Sequence, residues 1–186
     1  MAFIRVKTIK GKQYAYLIKN KWLKTKKMPK QKVVGYLGSV ITPHIKETMV
    51  DASFFDFYNI YEPEDYLGDK SRDIIIKDLV KFELARHDAN GKTIQFDYDK
   101  FTLTSSNRDI VLKINQGFLC SHTIHALKDF DARGDEEEIG IALAKAFVNA
   151  GIAIPKDIFI GYFYLCRKDV DIIDMKSCRS KITSYK

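Results

Sequence analysis

The first 46 residues contain no aspartate or glutamate; the first acid in the chain is Glu47. Cysteine is scarce as well: Cys120, Cys166 and Cys178 are odd in number and no two form a C-x-x-C pair. That set argues against a disulfide framework and fits a reducing compartment. No stretch approaches the ~20 apolar residues needed to span a bilayer. The segment from Met1 to Lys12 carries charge throughout and lacks the apolar core of a signal peptide. These absences predict a cytoplasmic protein that does not engage a membrane. Catalytic motifs are missing too: there is no phosphate-cradling Gly-rich loop, no H-E-x-x-H and no G-x-S-x-G. The expectation is a protein that is not an enzyme and needs no cofactor.

What is present is an uneven distribution of charge. The 186-residue chain has a net charge of +7, yet residues 1–46 alone hold twelve Lys and Arg. Residues 47–175 hold fifteen basic and twenty-four acidic residues, and residues 176–186 hold four basic and no acidic ones. An ordinary solvated surface mixes its signs. A long block of one sign repels itself unless a partner neutralises it, so the block is expected to face a polyanion or an acidic protein.

Alternation of β-branched and aromatic residues marks strands in the first 40 residues. Ile4 and Val6 alternate with Arg5 and Lys7; Tyr14, Tyr16 and Ile18 alternate with Ala15 and Leu17; Val33, Gly35 and Leu37 alternate with Val34 and Tyr36. Lys10-Gly11-Lys12 reads as a hairpin turn. Thr42-Pro43 reads as a helix start running to about Tyr58, with Ile45, Met49, Phe54 and Phe57 as its buried positions. Pro63 and Gly68 read as breaks. A second helix is expected from Asp69 or Ser71 to about His87 on an apolar face of Ile75, Ile76, Leu79, Val80 and Phe82. Alternation returns at Ile94, Phe96 and Tyr98, at Phe101 and Leu103, and at Ile110, Leu112 and Ile114. Gly117 is expected to open a short helix ending near Lys128. Asp135 to Ala150 reads as a helix with three glutamates in its first turn, a stripe of Ile139, Leu143, Phe147 and Ala150, and Gly151 after its end. Ile158 to Leu165 is apolar all round and open to either a helix or a strand.

The fold expected is therefore α+β. Residues 1–60 form a basic three-stranded antiparallel meander plus helix. Residues 61–175 form an acidic α+β domain with a second antiparallel sheet and C-terminal helices. Residues 176–186 are a basic tail.

The basic meander is the expected nucleic-acid site, with DNA favoured over RNA. Lys7, Lys10, Lys12, Lys24, Lys26, Lys27, Lys30 and Lys32 are the candidates for phosphate contacts, and Arg5, Gln13 and Gln31 for base edges. Tyr14, Tyr16, Trp22 and Tyr36 interleave them. At least half of these rings are expected to fill a small core between sheet and helix, and the others, Tyr14 first, to stack on bases.

Gly11-Lys12-Gln13-Tyr14-Ala15-Tyr16-Leu17-Ile18, the basic run Lys27-Met28-Pro29-Lys30-Gln31-Lys32 and Tyr36-Leu37-Gly38 together carry a resemblance. Residues 3–40 resemble the basic N-terminal segment of some insertion-sequence transposases of the DDE type. They are also similar to the start of archaeal proteins that lack a transposase core. By that resemblance the segment is a DNA-binding module. In element order alone it is similar to the arm-binding domains of phage integrases.

Other readings compete. The same lysines, with Trp22 and the tyrosines stacking, would serve an RNA-binding or ribosome-associated factor, so the cellular place would be the nucleoid or a ribonucleoprotein. Asp97, Asp99 and Asp109 lie near strands and would be needed by a metal-dependent nuclease. An adaptor would set the basic face against an acidic protein. A homodimer would offset the weak grip of one small meander. Cys120, His122 and His125 would need Cys166 and Cys178 to complete a zinc site. Asp129 to Asp135 fails as a calcium loop, because Gly140 stands where the bidentate Glu belongs. The acidic run Asp135–Glu138 is a helix start that would also be able to dock on the basic module.

Overall fold

Residues 2–23, 28–68 and 70–167 are described by the structure, a computed structural model. Three of its hairpins turn through two residues with positive φ. Lys10 (49°) and Gly11 (74°) join β1 (Ala2–Ile9) to β2 (Lys12–Leu23). Ser106 (50°) and Asn107 (58°) join β7 (Thr102–Ser105) to β8 (Arg108–Ile114). Asn115 (44°) and Gln116 (66°) join β8 to β9 (Gly117–Leu119). Paired left-handed residues give the turn whose twist matches the strands it connects, and Asn and Gly tolerate that backbone best.

β3 (Met28–Ile41) completes an antiparallel meander with β1 and β2. Its register slips twice. Ala15 faces Gly38 but Tyr16 faces Tyr36; Leu17 faces Gly35 but Ile18 faces Val33. Leu37 and Val34 are therefore extra residues, two bulges in β3. The simple alternation of Val33, Gly35 and Leu37 expected from the sequence does not hold, because each bulge resets which face the next residue meets. Beyond the second slip, β3 runs parallel to β8, Ser39–Ile41 beside Ile110–Leu112. Gly38 makes that approach feasible. Its φ is 133°, and a Cβ there would collide with the Asp109 carbonyl and come within 2.8 Å of the Ile110 nitrogen.

The antiparallel set anticipated around β8 is present, with β6 (Gln95–Asp97) pairing β7 and β9 pairing β8. Through β3 and β8 it joins the meander in one seven-stranded sheet of order β1-β2-β3-β8-β7-β6, with β9 off this path on β8. The result is a mixed α+β fold with a meander inside a larger sheet and helices towards the C-terminus.

The segment after the meander departs from expectation. Residues 42–58 do not form one helix. They form β4 (His44–Ile45), a single 3-10 turn at Glu47–Met49, and α1 (Phe54–Tyr58). Two local forces win. A residue before proline is driven to extended backbone, and β4 then pairs with β5 (His87–Asp88) at the end of the next long helix. Ser53 starts the short helix by accepting from the Asp56 amide at 3.0 Å. Phe54 is buried and Met49 and Phe57 pack on the core, but Ile45 is 39% exposed. Pro63 and Gly68 are not breaks either: they bound α2 (Pro63–Gly68), with proline at the first helical position, where its missing N–H costs nothing. Gly117 opens a strand, and the helix expected there, α4 (Ser121–Lys128), begins four residues later.

The long helices follow their sequence patterns. α3 (Arg72–Arg86) buries Ile75, Ile76, Leu79, Val80 and Phe82. α5 (Glu136–Ala150) buries the whole stripe Ile139, Leu143, Phe147 and Ala150. Asp135 caps α5 by accepting from the Glu138 amide at 2.8 Å, and Gly151 ends it. Residues 156–166 form a helix, α6 (Lys156–Cys166), whose Tyr162 is fully buried and donates to the Leu127 carbonyl at 2.8 Å. These helices share one core with the sheet face that carries Ile41, Ile110, Leu112 and Ile114. The reverse face holds, among the described residues, a small cluster of Ala15, Val111 and Cys120, lined by Ile4, Leu37, Val40 and Phe118. Among the described residues no helix is long and apolar enough to cross a membrane. The basic tail 176–186 lies outside the described residues.

Candidate nucleic-acid interface

β1 stops pairing where Ala2 faces Lys19. Past that point, among the described residues, β2 pairs only with β3, through Asn20–Gln31, Lys21–Lys30, Trp22–Pro29 and Leu23–Met28. The meander thus extends into a two-stranded arm. Residues directly opposite on antiparallel strands share a face and sit close enough to interact. On one face Lys19 stands opposite Lys32 and Lys21 opposite Lys30, all four exposed. Like charges placed so are mutually destabilising. Among the described residues, no Lys or Arg of the first 46 joins an ion pair. Of the fourteen residues from 19 to 32, seven are lysine and none is acidic.

The candidates proposed from sequence divide across this frame. Lys30 and Lys32 belong to the lysine face. Lys24, Lys26 and Lys27 lie outside the described residues. Lys10 sits in the first turn and Lys12 opposite Ile9, at the far end of β2, roughly 30 Å from Lys21 at the usual rise per residue. Lys19 and Lys21 are additions to the sequence-based set. Their odd spacing puts them on the Ala15–Leu17 face, but only the pairing with β3 shows that two more lysines oppose them.

The other face of the meander is aromatic. Arg5 faces Tyr16, Lys7 faces Tyr14, and Tyr36 faces Tyr16. The Tyr36 ring lies 5.5 Å from Tyr16 and 6.3 Å from Tyr14, centroid to centroid, at tilted angles. The Lys7 ammonium is 5.3 Å from the centre of the Tyr16 ring, within cation–π range. Tyr36 is 53% exposed and Trp22, further along the same face, 60%. None of the four rings belongs to either buried cluster, and the helix expected to cover them does not form. The expectation that half of them are core is therefore not met. Partial burial, then the neighbouring Tyr14 and Tyr16, raise the Tyr36 phenol above its ordinary value, Asp109 adding to this and Arg108 opposing it.

Two of the three candidates for base contact are engaged with each other: Arg5 donates to the Gln31 side-chain oxygen at 2.6 Å. Both lie on the aromatic face, whereas Gln13, opposite Thr8, lies on the other. The three are not one reading head.

The remaining candidates have local roles. Asp97 accepts from the amides of Lys100 (2.9 Å) and Asp99 (3.0 Å), closing a turn, and these bonds hold its carboxyl below the usual range. Asp109 is a strand residue opposite Thr104. His125 lies 2.7 Å from the Ser121 carbonyl through Nδ1. Burial, then His125, lowers the pKa of His122, while burial pushes the Cys120 thiol up. Cys178 lies outside the described residues. Among the described residues no three His, Cys, Asp or Glu side chains are grouped to hold a metal ion. Of the acidic run, Asp135 caps α5 and Glu136 pairs with Arg167 at 3.1 Å.

No protein-family model matches this chain, and neither curated proteins nor solved structures offer a similar one.

Proposed function

We propose that this chain is a non-catalytic nucleic-acid-binding protein that grips duplex DNA with the lysine face of the β2–β3 arm. The observation that carries the reading is the pair of cross-strand lysine pairs, Lys19–Lys32 and Lys21–Lys30, none of which is ion-paired among the described residues. An arm built on self-repulsion costs stability in the free protein and regains it against a polyanion. A two-stranded ribbon is also the width a DNA major groove admits. Lys24, Lys26 and Lys27 would add to the same charge. The resemblance of residues 3–40 to transposase N-terminal segments supports the same ligand. Arg5 and Gln31 would have to release each other before either reached a base, so the interactions expected first are with phosphates, and they carry affinity with little sequence preference.

The test is fluorescence anisotropy of the full chain with labelled duplex DNA, single-stranded DNA and structured RNA over a salt series. Removing one lysine–phosphate interaction lowers the log–log salt slope on duplex by about 0.9. Replacing Lys19, Lys21, Lys30 and Lys32 together by alanine is expected to flatten it accordingly. A higher affinity for structured RNA would move the same face to a ribonucleoprotein partner. Absence of binding to all three at low salt would overturn the reading and leave an acidic protein as the partner to seek.

A further inference from the structure

We propose that the tyrosine face of the meander is a second, separate site that stacks the unpaired bases of a single-stranded segment. The two bulges of β3 are the first observation. They bracket Gly35 and Tyr36 and cancel outside that pair, so residues on either side keep the faces that plain alternation would give them. Their net effect is to turn Tyr36 from the face of Ala15 and Leu17 to that of Tyr14 and Tyr16. Bulges re-aim side chains at sites of function at a cost in pairing.

The second observation is what the tyrosine hydroxyls do. Three tyrosines that pack into the core have partners: Tyr58 donates to the Asp78 carbonyl, Tyr66 to the Asp78 carboxylate and Tyr162 to the Leu127 carbonyl. On the meander face, none of Tyr14, Tyr16 and Tyr36 has a hydrogen-bonded hydroxyl among the described residues, leaving three donors for sugar and phosphate oxygens. Lys7 and the linked Arg5–Gln31 pair flank the rings, and Ile18, 2% exposed, lies on the same face behind them. Half-exposed rings beside cations match the platform on which single strands stack, base on ring with the backbone on positive charge. A duplex hides its bases from such a surface. The occupant is therefore a single strand, and a duplex continued by a single-stranded tail would meet both faces at once.

This inference shares with the preceding one only the chemical class of ligand, and the two fail separately. The probes are a blunt duplex, the same duplex carrying an oligothymidylate tail, and oligothymidylate alone, each against the full chain. The tail is expected to raise affinity by roughly five- to 150-fold per stacked base. Tyr36→Ala and Tyr16→Ala should remove that gain and leave blunt-duplex binding unchanged, while Tyr36→Phe, which keeps the ring and loses one hydroxyl donor, should keep most of it. No gain from the tail, a gain that survives both alanine variants, or an equal loss on blunt and tailed duplex would each overturn the proposal. So would saturable binding of a proline-rich peptide with none of oligothymidylate. If oligothymidylate binds and blunt duplex does not, the arm reading fails and this one stands.

Discussion

Lys21→Glu puts stability and binding in opposition, and this tests the logic of the arm. Lys21 faces Lys30 directly across the two-stranded segment. In the parent chain the pair repels; in the variant it attracts. Opposite-charge and like-charge cross-strand pairs each differ from a neutral pair by up to about 1 kcal/mol, and exposure and salt cut the effect. A swing of about 1 kcal/mol in favour of the arm is the working value, which slows opening of its paired amides about five-fold. The arm stands outside both buried clusters, so the gain is local and amide hydrogen exchange in residues 20–23, 28, 30 and 31 is the assay. The global melting temperature should hardly move. Binding should go the other way. Removal of one phosphate partner lowers the salt slope by about 0.9, which at physiological salt is about five-fold in affinity, and a new carboxylate facing phosphate weakens binding further. Trp22, the only tryptophan, lies on the arm and gives an independent fluorescence readout of the same titration. Unchanged affinity and slope would refute the assignment of the lysine face to phosphate. Faster exchange in the variant would refute the claim that the pair repels.

Three further predictions concern the scaffold. Gly38→Ala must place a Cβ against the Asp109 backbone at a φ that L residues rarely adopt; it is expected to cost more than about 2 kcal/mol in urea unfolding, with the destabilisation centred on the β3–β8 junction. Glu83 is buried and accepts from the Ala153 amide (2.9 Å) and the Asn115 amide group (3.1 Å), and Asn115 also donates to the Gly151 carbonyl; Glu83→Gln offers one acceptor oxygen for two donors and should cost about 1–3 kcal/mol near pH 4. Burial outweighs the Ala153 bond, the neighbouring His87 and Arg86 and the Asn115 bond and raises the pKa of the Glu83 carboxyl, so its contribution is complete below the ordinary glutamate range and declines as pH rises through the raised value; the glutamine variant should lack that decline, so the gap to the parent narrows with pH. Burial pushes the Cys166 thiol up to about 11, so alkylation of the folded protein at neutral pH should leave Cys166 unmodified until denaturant is added.

Legibility from sequence followed the range of the forces involved. The helix capped by Asp135 and ended by Gly151 could be read because cap, acidic first turn and apolar stripe all lie within its own residues. The hairpin at Lys10-Gly11 was legible for the same reason. Residues 42–58 were not, because β4 exists only through its pairing with β5 more than forty residues away. Nor was the turn at Asn115-Gln116: the glycine after it resembled a helix boundary, and the pairing of Leu112 with Leu119 decided otherwise. At the candidate site, composition located the basic block but not its geometry. Lys19 and Lys21 carried no local signal stronger than the other lysines of the block.

The division of the meander into a lysine face and an aromatic face depends on residues that are neither. Plain alternation along β3 puts Tyr36 on the face of Lys30 and Lys32, where it would stand alone. Val34 and Leu37, each an extra residue opposite a single partner in β2, bring it beside Tyr14 and Tyr16 and leave the lysine pairs undisturbed. The strand gives up regular pairing at two points within a few residues, just where it turns to meet β8 at Gly38. One bulge would suffice to bend a strand into a larger sheet, and it would also reverse the face of everything beyond it. Two bulges bend the strand, preserve the arm and change the side of Gly35 and Tyr36 only. A purely structural demand for curvature does not require that pairing of bulges. A demand for one more ring on the open face, with the cations of the arm kept on the other, does.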